Sequence, residues 1–475
     1  MFIAGEWVPS KTGRMLPITD PATGEPVGEV PDASETDVNE ACEAAATAFS
    51  SWRRVPAAER ARLLHTAAEG LRIHTDALAG TLTSELGRPI SGSRQEIERT
   101  AEMLDYFAEE GLRLRGEIPL MNLPNERVMV LKEPIGVVAA IAPFNYPITL
   151  LSMKLGPALA TGCTVVAKPS SLTPLSTLML AEVFEDAGFP TGVLNVVTGR
   201  GSEAGRALVE HPIPRKVSFT GGTRTGKTIA AAVTGTLKRL TLELGGQSPA
   251  IVSDDADIAR AIPALVSQAY ANSGQFCYRV NRIYVGENVY EVFCEQFTQA
   301  AAGLQVGNGF DPETQVGPLV DEGTYRTSIA HVDDAVAKGA RLLTGGRRLR
   351  GDAFDGGYFM PPTVLSDTDH SMLAMREETF GPVVGIMPVG DLEEAVRLAN
   401  DSRYGLAAYV YCGDAARALR LAEQCEAGTV WVNGVHRTYN LVPFGGYKES
   451  GLGREKSRFG LDEYVEFKTI YHLTT

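Results

Sequence analysis

Three short stretches carry side chains suited to covalent chemistry on a carbonyl. Asn272-Ser273-Gly274-Gln275-Phe276-Cys277 places one thiol just after a glycine-containing turn, between the apolar runs 261–266 and 282–285. A free cysteine has a pKa of about 8.5, so only a few per cent is thiolate near neutrality, yet it outclasses serine as a nucleophile. Glu243 stands in Leu242-Glu243-Leu244-Gly245-Gly246. Burial raises a carboxyl pKa toward the range where it serves as a general base. Asn145, in Pro143-Phe144-Asn145-Tyr146-Pro147, sits in a loop fixed by prolines. Its amide can donate to a developing oxyanion, and one such donor is worth roughly a hundred- to thousand-fold in rate.

A second set of residues suits a nucleotide. Lys168, Ser170 and Ser171 follow an apolar run and offer donors to ribose or phosphate. Thr220-Gly221-Gly222-Thr223-Arg224-Thr225-Gly226 follows another such run and opens a helix, where glycine lets backbone approach a pyrophosphate. Glu378 and Phe380, in Glu377-Glu378-Thr379-Phe380, join an acid able to hold ribose hydroxyls to a ring able to back a flat base. Residues 221–228 also match G-x-x-x-x-G-K-T, so a P-loop nucleotide-binding protein is an alternative. That alternative leaves Cys277, Glu243 and the Asn145 loop without a purpose. Each stretch taken singly has an ordinary structural reading: a buried thiol, a salt-bridged acid, a turn asparagine.

The elements that must position these residues are α/β. Runs at 137–141, 164–167, 193–197 and 216–219 are short and apolar, and helical patterns at 148–160, 175–187 and 202–210 separate them. Nearly all-apolar strands alternating with helices predict parallel sheets covered on both faces, with ligands at the strand ends. A second set from about 250 to 435 has strands near 250–252, 283–285, 382–386, 408–411 and 429–432. Before these, short strands occupy residues 1 to about 30. Ser34 and Asp37 form a capping box, and helices run from 57 to about 86 and from 91 to 112. These early helices read as packing elements without chemistry. The uncharged stretch 134–153 is broken by Pro143 and Pro147 and reads as buried strand plus loop rather than a membrane span.

Together the four signatures PFNYP, FTGGTRTG, LELGG and GQFC, in that order, resemble the aldehyde dehydrogenase superfamily over essentially the whole chain. The resemblance implies two Rossmann-like, doubly wound α/β domains plus a small β oligomerisation arm. Residues 1–116 and 135–245 would bind the dinucleotide, 246–453 would carry the nucleophile, and 117–134 with 454–475 would form the arm of a homodimer or homotetramer. It implies NAD(P)-dependent oxidation of an aldehyde, a semialdehyde or other polar aldehyde among the candidates, to the acid. Cys277 would be the nucleophile, and Asn145 with the Cys277 N–H would hold the oxyanion. Glu243 would activate water, and Lys154 would assist proton relay. Phe144, Lys168 and Gly201 would line the cofactor site from the first strands. Gly221, Gly222 and Leu244 would follow, with Glu378 and Phe380 facing them. A catalytically silent structural homologue is the remaining alternative.

Two departures bear on specificity. Many NAD-preferring members carry Glu where Ser171 stands; its loss removes repulsion of a 2′-phosphate, so NADP as well as NAD is expected. The arginines of succinate-semialdehyde enzymes would fall at Met153 and Ala271, and both are absent. Tyr278, Arg279 and Arg437 are the remaining candidates for substrate contact.

Bulk properties narrow the partners. The 475 residues are 44% hydrophobic and 21% charged, ordinary for a multidomain globular chain. Net charge is −14, from 44 Lys+Arg against 58 Asp+Glu, which disfavours nucleic acid and anionic membrane. The six cysteines show no CxxC and the seven histidines no HxxxH, so neither a metal site nor a disulfide scaffold is expected. The first residues lack a signal-peptide pattern, and a reducing cytoplasm fits.

Overall fold

The computed structural model describes residues 1–435 and 439–473. Two sheets organise the chain. In the first, five parallel strands run Leu194–Val196, Thr164–Lys168, Val137–Ile141, Lys216–Thr220 and Arg239–Glu243 in spatial order. Antiparallel Phe2–Ile3 and Glu6–Trp7 extend one edge, and Gly451–Leu452 pairs with Arg239–Glu243 at the other. The second sheet places Thr363–Ser366, Val383–Val389, Val280–Gly286, Ser248–Val252, Ala407–Tyr411 and Thr429–Val432 in parallel. Arg341–Thr344 lies antiparallel at its edge.

The central strands form for the reason their composition suggests. Val137–Ile141, Thr164–Lys168 and Lys216–Thr220 are buried along their whole length, which an apolar run tolerates only with helices on both faces. Leu104 and Phe107, from helix Ile90–Leu112, share a core with Leu151 and Leu155 of helix Pro147–Thr161. Pro147 takes the first turn of that helix, where its missing N–H has no partner to lose. The capping box of Ser34 and Asp37 is present.

Some elements differ from expectation. The helix expected over 57–86 is two helices, Ala57–Ile73 and Thr75–Leu86, because His74 leaves helical geometry at φ −97°, ψ 14°. Residues 201–210 open with a π-turn, Gly201–Gly205, before the short helix Arg206–Glu210. Three strands, Arg239–Glu243, Arg341–Thr344 and Thr363–Ser366, went unforeseen, since polar residues dilute their apolar signal. The chain has also crossed back to the first sheet by Gly451, ahead of the boundary expected near 453.

Glu126–Pro134 and Val465–Leu473 pair antiparallel through nine residues as a separate two-stranded ribbon. Leu131, Phe467, Tyr471 and Leu473 are exposed on it. No helix among the described residues is long and apolar enough to cross a membrane.

Candidate active site

The chain order reverses between Val137–Ile141 and Lys216–Thr220, so a crevice opens beyond the carboxyl ends of those strands. The loops there carry the residues singled out above. Phe144 and Asn145 follow the first strand, Lys168 to Ser171 the second, Gly201 the third, Gly221 and Gly222 the fourth, and Glu243 and Leu244 the fifth. The opposite wall comes from the segment before Val383–Val389, where Phe380 meets Phe144 edge-on at 5.7 Å between ring centroids. Glu378 accepts from the Gly246 N–H at 2.9 Å. Burial, against that N–H, raises its pKa to about 7.

The crevice fits a dinucleotide. A Cβ placed on Gly201 or Gly222 would meet nothing within 4 Å, so space lies open before both backbones. Helix Thr223–Val233 starts at Gly222 with no side-chain cap, leaving its first N–H groups for an anion. Lys168 is 3% exposed; its ammonium donates to the Pro169 carbonyl at 2.9 Å, and burial lowers its pKa to about 8. The Ser170 hydroxyl takes the Leu172 N–H at 3.2 Å, whereas that of Ser171 has no partner among the described residues.

Cys277 lies between helix Ile258–Tyr270 and strand Val280–Gly286, after a turn in which Asn272, Ser273 and Gly274 all have positive φ. Side chains lock that turn. The Asn272 amide donates to the Asn145 carbonyl at 3.1 Å, tying the nucleophile's turn to the Asn145 loop across the crevice. Gln275 accepts from Val320 N–H at 2.9 Å and donates to Asn272 O at 3.1 Å. Of the six cysteines, five are buried and only Cys277 is partly exposed. Its thiol pKa is pushed up by desolvation, then by the carboxylates of Glu378 and Glu243. Asn145 is 3% exposed, and its carboxamide oxygen has no partner among the described residues.

Glu243 is 2% exposed, and neither carboxylate oxygen has a hydrogen-bond partner among the described residues. Burial raises its pKa well above the usual range, and Glu455 adds to this while Lys154 and Arg454 oppose it. Lys154, wholly buried, donates to Glu455 Oε1 at 2.6 Å and to Thr220 Oγ1 at 2.7 Å. A buried acid–ammonium–acid set of this kind can hold a proton or pass one on.

Cys277, Asn145 and Thr220 line one cavity of about 630 Å³. Rings of Tyr146, Phe276, Tyr278 and Phe444 wall it in a chain of edge contacts, with centroids 5.0–6.4 Å apart. Tyr278 therefore stands where a substrate would lie.

Two expected residues do not belong to the site. Arg279 is fully buried; its guanidinium donates to Ala269 O at 3.1 Å and Thr379 O at 2.8 Å, and bonds the Val383 carbonyl and Asn281 Oδ1. It satisfies helix and strand ends rather than a ligand. Gly226 is buried inside its helix, and a Cβ there would strike Leu244 at 2.4 Å. Its smallness serves packing, not phosphate approach. Arg437 lies outside the described residues. The same packing defeats the P-loop alternative. The helix begins at Thr223, so Lys227 and Thr228 lie inside it; Lys227 pairs with Glu449 at 2.7 Å and Thr228 bonds Arg224 O.

Several site residues carried no sequence signal. Glu455 and Lys456 come from the segment that returns to the first sheet, and Glu96 and Arg99 from a helix expected only to pack. The three- and four-residue spacing along that helix of Gly92, Gln95, Glu96 and Arg99 was the available clue.

A partly exposed cysteine in a cavity next to an open crevice at the strand ends, with a buried carboxyl acting on it, is the arrangement expected of a dinucleotide-linked oxidoreductase. The chain matches the aldehyde dehydrogenase family over residues 7–470, and it belongs to that family. It is 41% identical to a glutarate-semialdehyde dehydrogenase of Pseudomonas putida over 99% of this chain and 96% of that one. It is 40% identical to an NADP(+) succinate-semialdehyde dehydrogenase of Escherichia coli, over 98% and 96%. A crystal structure of Staphylococcus aureus betaine aldehyde dehydrogenase with NAD+ matches with TM-score 0.98 at 37% identity, covering 100% of this chain and 94% of that one. The protein is an aldehyde dehydrogenase that uses NAD or NADP.

Proposed function

We propose that the chain oxidises an aldehyde bearing a second polar or anionic group to the free acid, through an acyl intermediate on Cys277. The observation that carries this is the meeting in one cavity of the only partly exposed cysteine and the Asn145 loop, with Glu243 acting on the thiol. Cys277 Sγ attacks the carbonyl carbon, and Asn145 with the Cys277 N–H receives the oxygen as it gains charge. NAD(P)+, when bound, supplies the acceptor for the hydride that the thiohemiacetal carbon gives up. Phe144 and Phe380, with Lys168, Gly201, Gly221, Gly222, Leu244 and Glu378, would hold that cofactor. The acyl group then remains on Sγ as a thioester. Glu243 takes a proton from the water that attacks the thioester and returns it to the departing Sγ, so that the acid and the thiol are released. Lys154 and Glu455 hold the charge balance around Glu243 while its proton moves.

The semialdehyde reading rests on the two relatives named for such substrates. Positions 153 and 271 line the cavity as Met and Ala, so any anion must be received elsewhere. Free Ser171 supports use of NADP. The experiment is Cys277→Ala against wild type, with an aldehyde panel and each cofactor. Cofactor reduction should vanish in the variant, and undiminished reduction would exclude the thiol pathway.

We also propose a homodimer or homotetramer built through the ribbon Glu126–Pro134 and Val465–Leu473. Two strands alone are marginal in water, and an exposed apolar edge invites a partner. Deleting residues 465–475 should convert the particle to monomer by light scattering; an unchanged mass would refute the assignment.

A further inference from the structure

Among the described residues, four charged side chains line the cavity that holds Cys277: Arg88, Glu96, Arg99 and Lys456. Two of them satisfy each other. Arg88 and Glu96 form a buried ion pair, and the remaining Glu96 oxygen accepts from the Ile148 and Thr149 N–H groups at 3.0 Å. Arg99 and Lys456 differ. Neither makes a hydrogen bond or ion pair among the described residues. Among the described residues the lining thus carries two positive charges without ion-pair partners among aromatic walls, an arrangement that concentrates anions.

Lys456 is costly to place there. Its backbone stands at φ 59°, ψ 172°, a region that favours glycine, and Ser457 follows at φ 53°. A non-glycine residue persists in such a conformation only where its surroundings enforce it, and such residues cluster at ligand sites. Lys456 is also 3% exposed, and burial holds its pKa down at about 8, with Arg99 adding to that and Glu455 opposing. A strained backbone and a buried ammonium without an ion pair among the described residues fall on one residue. Glycine would relieve both costs, so the side chain has a use.

The position of these groups suggests the use. The Lys456 ammonium lies 5.9 Å from the Phe444 ring centroid, Phe444 touches Tyr278 at 5.7 Å, and Tyr278 adjoins Cys277 in sequence. Arg99 reaches the same place from helix Ile90–Leu112, and its charge acts on Tyr278 as well as on Lys456. Neither residue borders the cofactor crevice, so a cofactor phosphate is not what they await.

We propose that Arg99 and Lys456 form the anion-binding end of the substrate site, receiving the carboxylate or other oxyanion at the far end of an aldehyde whose carbonyl lies against Cys277. This rests on the aldehyde dehydrogenase reading and adds which residues choose the substrate. The pair also repels a cationic aldehyde, although the aromatic walls alone would accommodate one.

The test uses the full-length enzyme with saturating cofactor and two probes, succinate semialdehyde and butanal, followed by absorbance of the reduced cofactor. In Arg99→Gln, Lys456→Gln and Lys456→Gly, the ratio of kcat/KM for the carboxylate aldehyde over the neutral one should fall about 10- to 100-fold, chiefly through KM. Lys456→Gly should also melt at a higher temperature than wild type, since glycine fits its backbone. Lost selectivity in a more stable protein cannot come from misfolding. A ratio within twofold of wild type in both Arg99→Gln and Lys456→Gly overturns the anion site while leaving the aldehyde dehydrogenase reading intact. A wild-type enzyme that reduces cofactor with neither probe nor any other aldehyde overturns both.

Discussion

Gly246 offers a direct probe of how tightly the nucleophile is held. A Cβ built there would lie 2.2 Å from the Cys277 carbonyl oxygen and 3.2 Å from the Leu406 side chain. An ordinary carbon–oxygen contact is about 3.4 Å, so Gly246→Ala must push the Cys277 backbone back by about 1.2 Å. The carbonyl cannot swing aside as a side chain would, and the Leu406 side chain already crowds the new methyl at 3.2 Å. A misplacement of about 1 Å at a reacting group costs on the order of a hundredfold. The rate of the first-turnover burst of reduced cofactor, measured by stopped flow, should therefore fall about 100-fold. Overpacking should also destabilise the fold by about 1–3 kcal/mol. Gly80→Ala is the control. It lies in helix Thr75–Leu86 with nothing within 4 Å of its Cβ, so it should gain up to about 1 kcal/mol and leave the burst alone. A burst in Gly246→Ala within threefold of wild type would refute the claim that the Cys277 backbone is wedged in its reacting position.

Glu243→Gln should give one equivalent of reduced cofactor and then stall as acyl-enzyme, visible by intact-protein mass; sustained turnover would remove Glu243 from the deacylation step. The same variant makes a stability prediction. Because the folded pKa of Glu243 is raised, the native state binds more protons than the unfolded chain between the usual carboxylate pKa and the folded value. Stability is lost as pH rises through that window, so Glu243→Gln should melt above wild type at pH near 8 and nearly level with it at pH near 4. A melting difference independent of pH would contradict the unpaired burial. Ser171→Glu should lower kcat/KM for NADP by at least about tenfold relative to NAD, since a carboxylate facing a 2′-phosphate adds like-charge repulsion. An unchanged NADP/NAD ratio would place Ser171 away from the ribose.

Several parts of the site that were legible in the sequence share one property. Asn145, Lys168 and Gly221 stand at or just past the carboxyl ends of parallel strands, where an apolar run followed by turn residues marks both the strand and the ligand position; Glu243 also ends a strand, but one whose polar residues hid it. Strands that lacked the run, such as Arg341–Thr344, were missed for the same reason. Proximity to Cys277 in the chain is a poor guide to which charged side chains line its cavity. Arg279 lies two residues from Cys277 yet turns inward to bond the carbonyl of Ala269 at a helix end. Arg99 lies 178 residues from Cys277 and lines its cavity. Nothing local separates these two arginines. What separates them is whether the surrounding carbonyls already use the guanidinium's donors, a property of tertiary packing alone. Lys456 extends the point to the backbone. Its side chain is ordinary, and only the fold shows it at a φ and ψ suited to glycine. Residues at strand ends are written locally, whereas which charged side chains face the cavity without an ion pair depends on where distant elements bring them.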